Sequence, residues 1–149
     1  MPHNNECLVS LGSNIGNRKH YLEQAILLIS LHPEIHIEKK SLLIETSPLE
    51  VTNQPNFLNS ILKIRTHLSP DCLLEIFQGI EFKIGRIKRF EKGPREIDID
   101  ILAYSNIRLN TKALTLPHHS LFTRPFIREL IKEIGENKIY SELEEFVYA

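Results

Sequence analysis

The chain has 149 residues, of which 42% are hydrophobic, and a formal net charge of −1. This length suits one domain with a hydrophobic core, so we expect residues 1–149 to form a single domain. The near-zero charge excludes a general attraction to nucleic acid or anionic membranes, so any anion site must come from a local cluster of charges.

The predicted elements alternate between strands and helices. Asn17 can cap the first helix, and Ser69-Pro70-Asp71 combines a capping hydroxyl, a proline at the first helical position and an acid in the first turn. In chain order we predict a strand at 7–11, a helix at 17–31, extended chain at 35–46, a polar loop at 47–55, a strand at 57–66, a helix at 69–84, a basic loop at 86–95 and a strand at about 97–102.

The C-terminal third adds smaller elements to this pattern. Ile107 to about Leu109 is expected to pair back with the preceding strand, and Thr123-Arg124-Pro125 opens a helix that ends near Gly135. Ser141 and Glu144 form a capping box for a short last helix. The β-α-β-β-α-β order with C-terminal additions predicts an α+β fold, a ferredoxin-like two-layer α/β sandwich.

The most informative feature is the pair of acids Asp98 and Asp100. Ile97, Ile99 and Ile101 alternate with them, so both carboxylates point to the same face of a strand, roughly 7 Å apart. Two like charges repel unless a cation lies between them, and Mg²⁺ prefers carboxylates together with waters and phosphates. The pair indicates a magnesium site, and solvated acids on an exposed edge strand are the alternative interpretation.

Two further groups could contact a nucleotide. The basic loop at 86–95 carries five lysines and arginines, which bind phosphate oxygens. Leu74, Gln78 and Glu81 lie along one side of the second helix, where they could contact a nucleoside. A solvated mixed-charge loop and an ordinary helix surface are the alternatives.

Two more groups lie elsewhere in the sequence. Phe57 and Asn59 share one strand face and suit a flat heterocycle, although core residues would show the same pattern. The two histidines His118 and His119, with Arg124, favour phosphate contacts over zinc. Adjacent histidines on extended chain point opposite ways, and no Cys or Glu lies at a metal-ligand spacing.

Taken together and in this order, these residues resemble the 6-hydroxymethyl-7,8-dihydropterin pyrophosphokinase family of folate biosynthesis. The resemblance spans about Leu8 to Ile134. The motifs that carry it are Leu11-Gly12-Ser13-Asn14, Gln54-Pro55-Asn56-Phe57-Leu58-Asn59, Gly85-Arg86, Gly93-Pro94-Arg95-Glu96-Ile97-Asp98-Ile99-Asp100, Leu116-Pro117-His118 and Arg124-Pro125-Phe126.

The resemblance implies a Mg²⁺-dependent diphosphotransferase that moves pyrophosphate from ATP to the hydroxymethyl group of the pterin and releases AMP. Two Mg²⁺ ions would be held by Asp98 and Asp100. The implied catalytic residues are Arg86, Lys88, Arg95, Asp98 and Asp100. The implied ATP contacts are Leu74, Gln78, Glu81, Arg86, Lys88, Arg95, Ile101, Thr115, His118, His119 and Arg124. The implied pterin contacts are Thr46, Pro48, Leu49, Phe57, Asn59, Asp98 and Phe126.

The chain also departs from the family pattern. Lys92 stands where tryptophan is usual, and Phe90 is expected to take over its packing; Lys88 stands where arginine is common, which removes a bidentate phosphate contact. A binding module that lost catalysis would share every motif. A ferredoxin-like RNA-binding domain is a poorer alternative, because Asp98 and Asp100 would repel a phosphate backbone.

Partners and location follow from the same features. We expect a monomer that binds small molecules and neither nucleic acid nor membranes. Cys7 and Cys72 form no C-x-x-C pair, no signal peptide is visible and no apolar run could span a bilayer, so we expect a cytoplasmic location.

Overall fold

The computed structural model describes residues 4–48 and 52–148 of the chain, which form seven strands and five helices. In chain order these are β1 (Asn5–Ser13), α1 (Arg18–Leu31), β2 (Ile35–Lys40), β3 (Ile44–Thr46), β4 (Phe57–Thr66), α2 (Pro70–Ile84), β5 (Asp98–Tyr104), β6 (Leu109–Asn110), β7 (Thr115–Leu116), α3 (Ser120–Thr123), α4 (Pro125–Glu133) and α5 (Asn137–Tyr148). None of the helices in these described stretches is long and apolar enough to cross a membrane.

One antiparallel sheet organises the molecule. Its strand order is β2-β4-β1-β5, and β3 pairs with β4 on the same side as β2. In this register Gly12 of β1 lies opposite Asn59 of β4 and Asp98 of β5, while Ser10 lies opposite Asp100. Residues from three strands therefore meet at one end of the sheet.

The two long helices begin where the sequence predicts. The Asn17 side chain accepts a hydrogen bond from the backbone N–H of His20, and Ser69 accepts one from Cys72. Gly85 ends α2 with φ 116°, a left-handed conformation that glycine adopts at little cost. The predictions for α1, α2 and β4 are confirmed, because each rests on local capping or on strand alternation.

Helices cover both faces of the sheet. Leu22, Ile29 and Phe77 of α1 and α2 pack in a core on one face, and Leu121, Ile127 and others of α3, α4 and α5 pack on the opposite face. The two-layer description therefore fits only the first two helices and the sheet, since the C-terminal helices add a third layer. They are placed there because β1, β4 and β5 are apolar on both faces, as Leu8 and Leu102 show.

Two local predictions are wrong. The segment near Leu109 pairs with β7 and not with β5, since Leu109 lies opposite Leu116. The last helix begins at Asn137, so Ser141 lies inside it and caps nothing. The prediction that residues 35–46 are mostly extended is confirmed by β2 and β3, which are separated at 41–43, where the Ser41 hydroxyl accepts the Ile61 N–H.

The two free cysteines are expected to differ in reactivity. Cys7 is 1% exposed, and burial, followed by the charge of Glu6, raises the pKa of its thiol to about 12. Cys72 is half-buried in the first turn of α2. Because only the thiolate reacts, a disulfide reagent at pH 8 should modify one thiol in the native protein and two after unfolding.

The variant Cys72→Ser is the control for this thiol count. It should leave the native protein unreactive at pH 8. Two thiols that react at the same rate in the native wild type would contradict the assignment.

Candidate active site

The two aspartates of β5 lie on the sheet face that α3–α5 cover only in part. Both are half-buried and project from the face that also carries Ser10 and Gly12. Burial, followed by the nearby Asp98 carboxylate, raises the pKa of Asp100 well above its usual value. The sequence prediction of one shared face is therefore confirmed.

Arg86 connects the aspartates to α2. Its Nη1 donates to Glu81 Oε2 at 2.9 Å and to Asp98 Oδ1 at 3.1 Å. Glu81 also accepts the backbone N–H of Ile99 at 2.8 Å, so it fixes the start of β5. Burial raises the pKa of Glu81 to about 7, and the hydrogen bonds from Ile99 and Arg86 offset only part of that effect. Glu81 therefore holds Arg86 in place beside Asp98.

Arg95 lies between an acid and an aromatic ring. Its Nε is 3.4 Å from Asp98 Oδ2, and its guanidinium carbon is 4.8 Å from the centre of the Phe57 ring. Nη1 donates to the backbone oxygen of Gly93 at 2.8 Å, whereas the buried Nε makes no hydrogen bond to any described residue. A buried donor that has an ion-pair neighbour but no hydrogen bond is incompletely satisfied, so a ligand oxygen at this point would be stabilised.

Arg124 adds positive charge to the cavity that Arg95 also lines. The guanidinium of Arg124 lies 4.9 Å from the centre of the Phe126 ring. Burial, followed by the charge of Arg95, lowers the pKa of Arg124. An anion bound by both arginines would relieve the repulsion between their charges.

Asn59 and Phe57 form one wall of the cavity that Phe126 also lines. The Asn59 amide nitrogen donates to Thr46 Oγ1 at 2.8 Å and to the Ile44 carbonyl at 3.3 Å. Its donors are thus engaged within the protein, and its carbonyl oxygen is the group it can offer to a ligand. Thr46 is placed behind Asn59 and not at the cavity surface.

Gly12 keeps this wall open. A Cβ at this position would lie 3.2 Å from Asn59 Oδ1 and 3.4 Å from Phe57 Cδ1. We expect Gly12→Ala to weaken the binding of a flat heterocycle in this cavity about tenfold or more, because the methyl group displaces the side chains of Asn59 and Phe57. Calorimetric titration of wild type and variant with such a ligand will measure both dissociation constants.

Gly79→Ala is the matched control for Gly12→Ala. No described atom lies within 4 Å of a Cβ at Gly79, which is exposed inside α2. This variant should keep the wild-type dissociation constant and gain about 0.5–1 kcal/mol of stability, because alanine loses less entropy in a helix than glycine. Equal effects of both substitutions would contradict the role assigned to Gly12.

His118 has a defined hydrogen-bonding state. Its Nδ1 accepts the backbone N–H of Ser120 at 3.1 Å and lies 2.7 Å from the Ser120 hydroxyl. Burial, followed by the charge of His119, lowers the pKa of His118, so the ring is neutral at pH 7. A neutral ring that accepts at Nδ1 carries its proton at Nε2, which can donate to a ligand oxygen.

Two adjoining cavities collect most of the predicted site residues. One, of about 440 Å³, is lined by Pro48, Phe57, Asn59, Asp98, Asp100, His118, His119, Arg124 and Phe126 among others. The other, of about 560 Å³, is lined by Gln78, Glu81 and Lys88. Arg86 and Arg95 line both, so they form the border between the two cavities.

Three predicted contacts lie elsewhere, and a fourth is not described. The Ile101 side chain is 2% exposed and packs in the core beneath the sheet, and Leu74 packs against the same core. Thr115 is exposed on β7 and lines neither cavity. Leu49 lies outside the described residues. Ile101 fails as a side-chain contact because strand alternation places it on the face opposite Asp100.

Arg89 and Glu96 have a role that sequence reasoning missed. They form a paired ion contact, with Arg89 Nη1 and Nη2 at 2.8 and 2.7 Å from the two Glu96 oxygens. The hydrogen bond from Arg89 outweighs burial and lowers the pKa of Glu96 to about 2. Arg89 therefore forms its ion pair with Glu96 at the end of the basic loop. Only the folded structure distinguishes it from Arg86 and Arg95, which line both cavities.

Phe90 packs against Gly93 in the basic loop. A Cβ at Gly93 would lie 2.7 Å from Phe90 Cε2, so the ring rests against the glycine. The Phe90 side chain is nevertheless 62% exposed. Phe90 packs within its own loop and leaves most of its ring on the surface.

The donor set suits a hard cation better than zinc. Within the residues that the structure describes, no group of three or more His, Cys, Asp or Glu side chains could hold a metal ion. Two carboxylates leave most coordination positions to waters and phosphate oxygens, as Mg²⁺ requires. The negative charge of Asp98 disfavours the ionised form of Asp100. A cation bound by both carboxylates would relieve this repulsion.

Comparison with known proteins places these features in a family. A family model described as 7,8-dihydro-6-hydroxymethylpterin-pyrophosphokinase (HPPK) matches residues 8–136. The chain is 39% identical over 131 residues to the 2-amino-4-hydroxy-6-hydroxymethyldihydropteridine pyrophosphokinase of Bacillus subtilis, covering 88% of this chain and 78% of that protein.

Two other relatives are longer than this chain. The bifunctional protein FolKE of Lactococcus lactis subsp. cremoris is 40% identical over 141 residues, which cover 93% of this chain but only 40% of the relative. The crystal structure of wild-type Plasmodium falciparum HPPK-DHPS with pteroate has a TM-score of 0.70 at 13% identity, over 93% of this chain and 42% of that chain. At this identity the structural match supports the fold alone.

Proposed function

The chain belongs to the 7,8-dihydro-6-hydroxymethylpterin-pyrophosphokinase family, and from this membership we propose that it transfers pyrophosphate from ATP to 6-hydroxymethyl-7,8-dihydropterin in folate biosynthesis. The pterin hydroxyl oxygen forms a bond to the β-phosphorus of ATP. The bond between that phosphorus and the oxygen bridging to the α-phosphate breaks, AMP leaves, and the hydroxyl proton passes to solvent.

One observation carries this proposal. Asp98 and Asp100 lie in the same cavity as two aromatic rings, Phe57 and Phe126, and the cavity borders a second one through Arg86 and Arg95. A pterin in the first cavity and a nucleotide in the second would place their reacting groups at the arginines between them. Such placement is the main source of rate in phosphoryl transfer.

The pterin would lie between Phe57 and Phe126. Asn59 offers its carbonyl oxygen to an N–H of the ring, because its amide nitrogen already donates to Thr46 and Ile44. Pro48 lines the same cavity and excludes water from the ring edge. Thr46 acts on the pterin through Asn59.

The phosphates would contact the cationic border of the two cavities. Arg86, Arg95 and Arg124 supply positive charge, His118 donates from Nε2, and the exposed Lys88 contacts the nucleotide side. Gln78 and Glu81 lie along α2 where the nucleoside would rest. His119 stacks on His118 with ring centres 4.6 Å apart and fixes its orientation.

Asp98 and Asp100 would hold Mg²⁺, and we propose two ions. Magnesium at this point neutralises polyphosphate charge and polarises the attacking hydroxyl. The carboxylates themselves orient the site: Asp98 also fixes Arg86 and Arg95, so the acid that would bind metal also positions both border arginines.

Several broader statements stay proposals. The strand order β2-β4-β1-β5, with α1 and α2 packed on one face of the sheet, supports a ferredoxin-like classification of residues 5–104. One sheet shared by both cores supports a single domain. The monomeric state and the cytoplasmic location stay predictions.

The test is an assay of AMP formation from ATP and the pterin. We expect AMP and pterin diphosphate in equal amounts with Mg²⁺, and neither product with excess EDTA. Binding of both substrates without AMP would instead support a binding module. Formation of ADP, or AMP that appears without the pterin, would overturn the proposal.

A further inference from the structure

We propose that Gln54 is a positioning residue that couples the binding of the two substrates, by joining the segment before β4 to the basic loop. This inference rests on the proposed function, since it assumes a pterin beside Phe57 and phosphates at the basic loop. Gln54 itself holds neither the metal nor the reacting groups. Its contacts connect the segment that leads into Phe57 with the basic loop that carries Arg95.

The Gln54 side chain bridges two segments far apart in sequence. Its Nε2 donates to the backbone oxygen of Lys92 at 2.9 Å, and its Oε1 accepts from Asn14 Nδ2 at 2.7 Å. Lys92 has φ 61°, a left-handed conformation that a lysine adopts only when other contacts hold it. The bond from Gln54 is one contact that holds this strained backbone, three residues before Arg95.

Asn14 completes the connection from behind. It is 0% exposed, its Nδ2 also donates to the Pro55 carbonyl at 3.1 Å, and its Oδ1 accepts the backbone N–H of Arg95 at 2.9 Å. Its own N–H donates to the Arg95 carbonyl at 3.2 Å. Asn14 therefore fixes the backbone of Arg95 on both sides and holds the segment that carries Gln54.

Arg95 is the residue through which the contacts of Gln54 would affect the binding of both substrates. Its guanidinium lies over the Phe57 ring and beside Asp98. A pterin stacked on Phe57 orders the start of β4 and the segment before it, and through Gln54 it orders Lys92 and Arg95 for the phosphates. Because coupling is reciprocal, bound nucleotide must favour the pterin by the same factor.

The test measures a binding cycle. Calorimetry gives the Kd of the pterin with and without α,β-methylene-ATP and Mg²⁺, and the ratio is the coupling factor. In Gln54→Ala we expect this factor to fall about tenfold, as the loss of two hydrogen bonds predicts. The Kd of the nucleotide alone should change less than about threefold.

Two variants separate coupling from simple loop damage. Gln54→Glu keeps the acceptor for Asn14 but cannot donate to Lys92, so it should lose coupling as alanine does. Asn53→Ala changes an exposed neighbour in the same segment and should keep the wild-type factor.

The outcomes are distinct. An unchanged coupling factor in Gln54→Ala and Gln54→Glu, in a wild type that forms AMP, overturns this inference alone. A wild type that binds both ligands without coupling also overturns it. A wild type that binds no pterin overturns the proposed function, and this inference falls with it.

Discussion

Asp100→Ala is expected to lower kcat by ~10³-fold or more, about 4 kcal/mol of transition-state stabilisation, while the folded protein becomes at least as stable as wild type. The activity falls because the change removes one of the two carboxylates that we propose for the metal. The stability holds because burial and the Asp98 carboxylate disfavour the ionised form of Asp100, which raises its pKa.

The sign of the pH dependence follows from this shift. A raised pKa means that the folded state binds a proton more readily than the unfolded chain. The free energy of unfolding therefore falls as the pH rises above the ordinary aspartate value of 3.8. Asp100→Ala removes this contribution, so its advantage over wild type should grow from pH 4 toward neutral pH.

The measurements are AMP formation and chemical denaturation of the same preparations. Asp100→Asn keeps the shape without the charge and should match alanine in both readouts. Glu23→Ala removes an exposed charge on α1 and should change neither. Near-normal turnover in Asp100→Ala would remove Asp100 from the site, whatever its stability.

Lys63→Ala is expected to lower the free energy of unfolding by about 3–5 kcal/mol, the largest stability loss that the ion pairs predict. Lys63 Nζ lies 2.5 Å from Glu136 Oε1 and 3.2 Å from Glu6 Oε1, and the side chains of Lys63 and Glu136 are only 9% and 10% exposed. Glu38 lies 3.8 Å from the same nitrogen. Removing Lys63 leaves the buried Glu136 carboxylate near Glu6 and Glu38, with the more exposed Lys39 as its cation partner.

The pair also defines a pH range. Burial by itself would lower the pKa of Lys63, but hydrogen bonds and charges from Glu136 and Glu6 raise it; burial would raise the pKa of Glu136, but Lys63 and Lys39 lower it. Its stabilisation is therefore complete between the ordinary values of 4.5 and 10.5 and is lost outside them.

Thermal and denaturant unfolding at pH 7 will measure the loss, which should lower Tm by roughly 6–20 °C for a chain of this size. Lys40→Ala, an exposed lysine on β2, is the matched control and should stay within about 0.5 kcal/mol of wild type. The double variant Lys63→Met/Glu136→Leu should recover part of the loss, since both buried charges are gone. A Lys63→Ala variant as stable as wild type would show that the cluster is solvated.

The pair ties the C-terminal helices to the sheet. Glu136 lies between α4 and α5, and Lys63 projects from β4 toward them. Lys39 also donates to the Ile134 carbonyl at 3.0 Å and lies 3.2 Å from Glu136. A loss of this cluster is therefore expected to loosen the third layer while the aspartates of β5 keep their places.

The sequence by itself determined what depends on neighbouring residues. Capping by Asn17 and Ser69 located both long helices, and the alternation around Asp98 and Asp100 placed two carboxylates on one face. These signals are local, because a cap and a strand period involve residues within a few positions. The motif around the aspartates also led to the family that the comparisons identify.

Only the tertiary structure decided which charges meet. It separated Arg89, which pairs with Glu96, from Arg86 and Arg95, which line the cavities, although all three lie in one basic loop. It also joined Gln54 to Lys92 across 38 positions of the chain. Such pairings depend on how the sheet and loops pack in three dimensions, and no local period or spacing encodes them.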